Sequence, residues 1–311
     1  MKLKYYILDP TGNITILAEG DVPAAGRAAA AAKLMELEPT AEQVGFVCYG
    51  RTSAEKNCDT DHDISLTMAG GEFCGNATMS AAVLRVARGN GGFAGETSGT
   101  RRKYGIYEVD VLASGAEGIR RVRVEAKEDG SYFGSVDMPK PLSVKKETLS
   151  FEGKEYELPV VDFGGITHVI FDIGECDLTL FTGSSEKRDF CPDPEFRQNA
   201  EKAVKEWCDA LRAECLGLMI FDSTENRLDP LVYVPEAGTL VWESSCASGT
   251  TAVGAYLAQK EDAPIRRDIN EPGGSLSIEV TPGSKSDRSA GAGKLLLSGS
   301  VKIIRAGEAD I

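Results

Sequence analysis

Glu72-Phe73-Cys74-Gly75-Asn76-Ala77-Thr78 and Glu243-Ser244-Ser245-Cys246-Ala247-Ser248-Gly249-Thr250 are the same device built twice, once in each half of the chain. Each sets a carboxylate shortly before a cysteine, small residues after it, and a threonine four positions beyond. An apolar, small-residue stretch follows each motif and predicts a helix, over Gly75 to about Arg88 in the first half and Gly249 to about Gln259 in the second. A helix opening just after a cysteine aims unpaired N–H groups and a partial positive charge at an anion there, and the same field favours thiolate. The first of these helices is apolar almost all round, so it is expected to run buried through the middle of its domain.

If the halves fold alike and face each other across a cleft, two helix N-termini hold one carboxylate between two sulfurs. A thiolate on one side can then remove the proton beside that carboxylate, while a thiol on the other delivers a proton to the opposite face. That sequence inverts a stereocentre. The two cysteines must differ in protonation at any moment, so they titrate as a coupled pair.

With Thr11-Gly12-Asn13, Gln43-Val44-Gly45-Phe46 and Pro272-Gly273-Gly274, the two motifs make the chain resemble the diaminopimelate epimerase-like family of cofactor-independent amino-acid racemases along its whole length. Residues Met68 to Ser80, with Trp242 to Cys246, look most like the histidine racemases that feed opine-type, staphylopine-like metallophore synthesis. The resemblance implies an α/β (α+β) fold of two similar domains, each a mixed or antiparallel sheet wrapped around a central buried helix, with the active site in the cleft between them. It also implies roles: Cys74 and Cys246 as the acid/base pair, Glu243 near the substrate amino group, and Asn13 and Gln43 lining the pocket. Gly75, Asn76, Ala247 and Ser248 stand at the helix openings as substrate contacts, and His168 in Gly165-Ile166-Thr167-His168 matches a family histidine near the site.

The departures narrow the substrate. Diaminopimelate epimerases follow the second-motif Glu with an Arg that holds the distal carboxylate, and here Ser244 follows Glu243. A buried distal carboxylate without Arg or amide partners is expensive, which disfavours diaminopimelate. Plainer roles compete for several residues. Glu243 and Glu72 also read as acidic residues favoured near a helix start, Asn13 and Gln43 as turn and strand-end residues, and His168 as a core histidine.

At 311 residues the chain exceeds the usual size of one core, and the expected division is 1–135, 136–293, and a final strand, 294–311, crossing back to the first domain. A net charge of −14 argues against nucleic acid as a partner, and Arg101-Arg102-Lys103 reads as a solvated loop. No stretch is long and apolar enough for a membrane span or a secretory leader, which with free catalytic thiols points to the cytoplasm. Eight scattered cysteines and two histidines offer neither a disulfide framework nor a zinc set, and no phosphate loop precedes a Schiff-base lysine, so neither metal nor cofactor is expected. The partner expected is a small amino acid, with histidine first, and a homodimer stays open. The alternatives are a diaminopimelate epimerase or another racemase or isomerase of the same fold, and, in a different class, a non-catalytic amino-acid-binding protein.

Along the chain, strands are expected at Leu3–Leu8, Ile14–Ala18, Gly45–Tyr49, Ile64–Met68, Gly105–Leu112, Ile119–Glu125, Glu155–Val161, Thr167–Phe171, Leu218–Phe221, Leu231–Val234, Leu240–Trp242, Leu276–Val280 and Leu295–Ile304. Ala24–Leu37 predicts a sheet-covering helix, Gly89-Asn90-Gly91-Gly92 a helix stop, and 95–103 a polar loop. Ser131–Lys145 is expected to be the domain junction. Pro194 to about Cys215, capped by Asp193, predicts an amphipathic helix with Cys208 and Cys215 on one face, and Cys48 and Cys58 read as incidental small residues.

Overall fold

A computed structural model describes residues 2–50, 61–89, 104–176, 181, 194–282 and 292–311. Cys58, the 95–103 loop with Arg101-Arg102-Lys103, Asp193 and residues 90–92 of the helix stop lie outside the described residues. The chain divides into two compact units, Met1–Met138 with Leu296–Ile311, and Pro139–Leu295.

The first unit contains β1 (Lys2–Pro10), β2 (Thr15–Glu19), β3 (Gln43–Tyr49), β4 (Ile64–Met68), β5 (Gly105–Ala113), β6 (Ile119–Ala126) and β7 (Tyr132–Asp137). They pair in chain order, and the last strand of the chain, β16 (Ala292–Asp310), pairs with β7 on one side and β1 on the other. β16 pairs with β7 through Leu296–Val301 and with β1 through Val301–Asp310, and these two pairings close the ring. Helix α1 (Ala24–Leu37) covers the outside, where Ala30, Ala31 and Leu34 pack with Leu3, Tyr5, Ile7, Ile16, Val44 and Phe46. Helix α2 (Gly75–Gly89) runs inside and touches every strand from β1 to β7. Every residue from Gly75 to Ala87 except Arg85 is buried, which is why the sequence is small and apolar all round rather than striped. Tyr5 to Leu8 read as an unbroken apolar run for the matching reason: α1 covers one face of β1 and α2 the other.

The second unit contains β8 (Ser143–Phe151), β9 (Lys154–Asp162), β10 (Thr167–Asp172), β11 (Leu216–Asp222), β12 (Arg227–Val234), β13 (Thr239–Trp242), β14 (Ile265–Glu271) and β15 (Gly274–Pro282). The sheet runs β8-β9-β10-β11-β12-β14-β15, with β13 paired to β12. Helices α3 (Pro194–Leu211) and α4 (Ala247–Glu261) take opposite faces. Val169, Phe171, Leu216, Leu218 and Ile220 pack with Phe196, Ala200, Val204 and Trp207 of α3, and the Trp207 indole N–H donates to the Ser150 carbonyl at 2.8 Å. The alternate residues of the same strands, among them His168, Gly217 and Met219, therefore turn to the α4 side.

Two readings need correction, the extent of α3 and the missing strand β14. The α3 helix stops at Leu211, because Arg212 adopts a left-handed conformation (φ 53°) and the Ala213 N–H returns to the Cys208 carbonyl at 3.1 Å. Cys215 is thus off the helix, at the entrance to β11. Within Ser131–Lys145, β7 and the start of β8 occupy most of the stretch, on either side of Pro139 and Pro141, and the first unit gives way to the second at Met138–Pro139. β14 was not anticipated, because its inward positions are Ile265, Ile269 and the charged Glu271, which spoils the apolar alternation. No helix among the described residues is long and apolar enough to cross a membrane.

Candidate active site: two matched cysteine half-sites

In the first unit β4 ends at Met68, and a short loop leads to Cys74, the residue before α2. The Cys74 carbonyl accepts the Thr78 N–H at 2.9 Å and the Thr78 hydroxyl at 2.7 Å. The Cys74 sulfur accepts the Ala77 N–H at 3.4 Å. The β5–β6 turn braces this loop from outside. Ser114 Oγ donates to the Glu72 carbonyl at 2.9 Å and accepts the Met68 N–H at 2.9 Å. Next to it Gly115 (φ 67°) lies so close that a β-carbon there would be 2.3 Å from the Phe73 nitrogen.

Asn13 and Gln43 form one polar group. The Gln43 amide donates to Asn13 Oδ1 and, at 2.9 Å, to Thr15 Oγ1, while Asn13 Nδ2 donates to Glu42 Oε2 at 2.5 Å. Asn13 lies between β1 and β2, and Gln43 opens β3. In the register of β3 and β4, Gly45 pairs with Met68, so Gln43 lies at the end of the ring from which the Cys74 loop leaves. Gly75 and Asn76, both buried, form the first turn of α2 at that end. Glu42 carries no motif of its own in the sequence; its only signal is that it adjoins Gln43.

The second unit repeats the geometry around Cys246. Here the cysteine is the N-cap of α4, its sulfur accepts the Gly249 N–H at 3.3 Å, and its carbonyl accepts the Thr250 N–H at 2.8 Å. The hairpin that follows the central helix again braces the residue two before the cysteine, through the Gly273 N–H to the Ser244 carbonyl at 2.7 Å. Ala247 is buried in the first helical turn, and Ser248 Oγ lies 3.5 Å from the thiol. The Glu243 carboxylate also reaches the thiol.

One group has no counterpart among the described residues of the first unit. Glu271, at the end of β14, is only 7% exposed, accepts the Cys246 N–H at 2.5 Å and the Thr250 hydroxyl, and so sits directly behind the cysteine. Desolvation pushes its carboxyl up to about 8, against the lowering effect of those two hydrogen bonds. Desolvation, followed by the charges of Glu243 and Glu271, raises the Cys246 thiol well above its ordinary value. The helix N-terminus alone predicts the opposite, and burial beside two carboxyl groups outweighs it here.

His168 is fully buried, and neither ring nitrogen has a hydrogen-bond partner among the described residues. Burial lowers its pKa to about 3, so the ring is neutral. Glycine at 217 gives the imidazole its space, since a β-carbon there would lie 2.2 Å from Nδ1 and 2.9 Å from the Met219 methyl. Met219 then extends toward Gly249, beside Cys246. Among the described residues no three His, Cys, Asp or Glu side chains are placed to hold a metal ion.

The family described as the histidine racemase CntK N-terminal domain matches residues 2–309. A histidine racemase of Fusobacterium nucleatum subsp. nucleatum is 31% identical over 283 residues, 89% of this chain and 89% of that protein. A histidine racemase of Staphylococcus aureus is 27% identical over 272 residues, 87% and 85% of the two chains. In fold, the chain resembles the crystal structure of a probable proline racemase from Agrobacterium radiobacter K84 (TM-score 0.65, 13% identity, 99% and 92% coverage). It also resembles a hydroxyproline epimerase from Agrobacterium vitis (TM-score 0.61, 13% identity, 99% and 92% coverage).

Proposed function

This chain belongs to the histidine racemase family, and from that premise we propose that it interconverts L- and D-histidine without a cofactor, Cys74 and Cys246 exchanging the roles of base and acid. The observation that carries the two-thiol reading is the repeated geometry: in each unit the N–H three residues past the cysteine points at its sulfur, at 3.4 Å and 3.3 Å. Core packing alone has no need to build that turn twice at the start of a buried helix.

In this reading the substrate α-carboxylate takes the N–H groups of the two helix openings, contributed by Gly75, Asn76, Ala247 and Ser248. Glu243 receives the ammonium group. One cysteine, as thiolate, removes the α-proton; the negative charge delocalises into a carboxylate held by helix N-termini; the other cysteine, as thiol, returns a proton to the opposite face. One C–H bond breaks as another forms, and one S–H bond is exchanged for the other. The reverse direction starts from the swapped protonation states. Asn13 and Gln43, already tied to each other and to Glu42, offer a rigid wall of amide groups for the rest of the substrate.

The test is proton NMR in D₂O under reducing conditions, with L-histidine, diaminopimelate and other L-amino acids offered separately. Loss of the histidine α-proton signal, with D-histidine on a chiral column, is the expected result. Cys74→Ser and Cys246→Ser should each lower racemisation by at least about a hundredfold, the scale of a positioned acid or base. Wild-type rates in either variant overturn the two-thiol reading, and exchange of diaminopimelate in preference to histidine overturns the substrate.

A further inference from the structure

The two half-sites match at the sulfur, the carbonyl and the bracing hairpin, yet they differ in one ionisable group. The strand after the central helix ends in Ala113 in the first unit and in Glu271 in the second. Both residues are buried, so at this position the second unit carries a carboxyl group where the first carries a methyl group. Both carboxyl oxygens of Glu271 are engaged, one by the Cys246 N–H and one by the Thr250 hydroxyl, which leaves it no freedom to turn away. The titratable groups that face Cys246 are Glu243, from the segment before α4, and Glu271, from β14. Those that face Glu271 are Glu243 and Cys246.

We propose that Glu271 is a positioning residue for Cys246, its carboxylate, once ionised, holding the proton on the Cys246 sulfur. The inference rests on the two-thiol reading above but concerns a property of Cys246 that needs no substrate to measure. Two acids packed together in a buried place do not both ionise readily: once one carries a charge, the other holds its proton more tightly. Glu271, with its carboxyl at about 8, ionises ahead of a thiol already raised by burial, and its charge then holds the proton on the Cys246 sulfur. A glutamine in its place keeps an oxygen for the Cys246 N–H and an amide for the Thr250 hydroxyl, and removes only the charge.

The experiment follows the alkylation of each cysteine by iodoacetamide against pH in the full-length reduced protein, with peptide mass spectrometry to report Cys74 and Cys246 separately. In Glu271→Gln the midpoint for Cys246 should move down by about one pH unit, so that above about pH 9, where Glu271 is ionised, it reacts about tenfold faster, while near pH 7, where the carboxyl keeps its proton, the two proteins react alike. The Cys74 profile should not move. A purely structural brace predicts an unchanged Cys246 midpoint in folded Glu271→Gln, and that result overturns the proposal. Should the variant not fold, the wild-type curve decides. A Cys246 rate that rises by less than tenfold per pH unit through the Glu271 titration supports coupling, and a single-site curve overturns it. Because no substrate is present, a failure here leaves the racemase reading standing. A failure to racemise histidine likewise leaves the alkylation result intact.

Discussion

Gly249 gives its N–H to the Cys246 sulfur at 3.3 Å, and a β-carbon on Gly249 would stand 3.1 Å from that sulfur and 2.2 Å from the Met219 sulfur. The turn that aims an N–H at the thiol therefore depends on a residue without a side chain. Gly249→Ala should cost about 1–3 kcal/mol, the scale of overpacking a filled interior, and should slow racemisation by displacing the thiol. Met219→Ala in the same chain returns the space, so the pair should be less destabilised than the sum of the single changes. Denaturant unfolding of the four proteins measures this; simple additivity would mean that Met219 is not what the new methyl meets.

Gly115 tests the brace in the first unit. Its φ of 67° disfavours any side chain, and a β-carbon would collide with the Phe73 backbone, which cannot rotate aside. Gly115→Ala should lose at least about 1–3 kcal/mol and loosen the Cys74 loop, seen as faster proteolysis near Phe73. Gly130 is the control, because it has φ 83° but nothing within 4 Å of where a β-carbon would stand. Gly130→Ala should cost only the backbone strain, about 1 kcal/mol, and leave the loop protected.

At the far end of α2, Arg88 pairs with Glu19, which also accepts the hydroxyls of Tyr6 at 2.7 Å and Tyr49 at 3.1 Å. The Tyr6 side chain is fully buried, so Glu19→Ala removes the carboxylate its hydroxyl donates to, at a cost of about 1–3 kcal/mol. Arg88 is partly solvated and adds little to that sum. Cys74 is at the opposite end of the same 15-residue helix, roughly 20 Å away. Glu19→Ala should thus lower the unfolding midpoint while leaving kcat within about twofold at temperatures where the protein is folded. A large loss of kcat in folded protein would show that the Glu19 cluster and the Cys74 turn are coupled.

The parts of this protein that obey one repeated rule were legible in the sequence. Both buried helices announce themselves by small apolar residues on all sides, and both cysteines by the motif that starts those helices. What stays hidden are residues whose meaning depends on a distant partner. Ser114 and Gly115 look like an ordinary turn until the Glu72 carbonyl and the Phe73 nitrogen arrive beside them. Glu271 looks like an exposed strand residue because a carboxyl at an inward position is rare, and it is legible only once the Cys246 N–H and Thr250 hydroxyl are seen to receive it. Cys215 falls off α3 because of a left-handed Arg212, a stop that composition does not announce.

The buried His168 makes the protein's stability depend on pH. The native ring is held neutral, with its pKa lowered to about 3, whereas in the unfolded chain it takes a proton near its ordinary 6.5. A group depressed in the folded state contributes stability that is complete above pH 6.5 and is lost as pH falls toward 3. Between pH 6.5 and pH 4.5 that loss amounts to roughly 2–3 kcal/mol, since each pH unit of unequal proton binding is about 1.4 kcal/mol. His168→Leu removes the group, so the fall in stability between pH 7 and pH 4.5 should be smaller than in wild type by that amount. Urea titrations at the two pH values decide it. An equal fall in both proteins would mean that the buried imidazole is protonated in the folded state, with a partner for its charge.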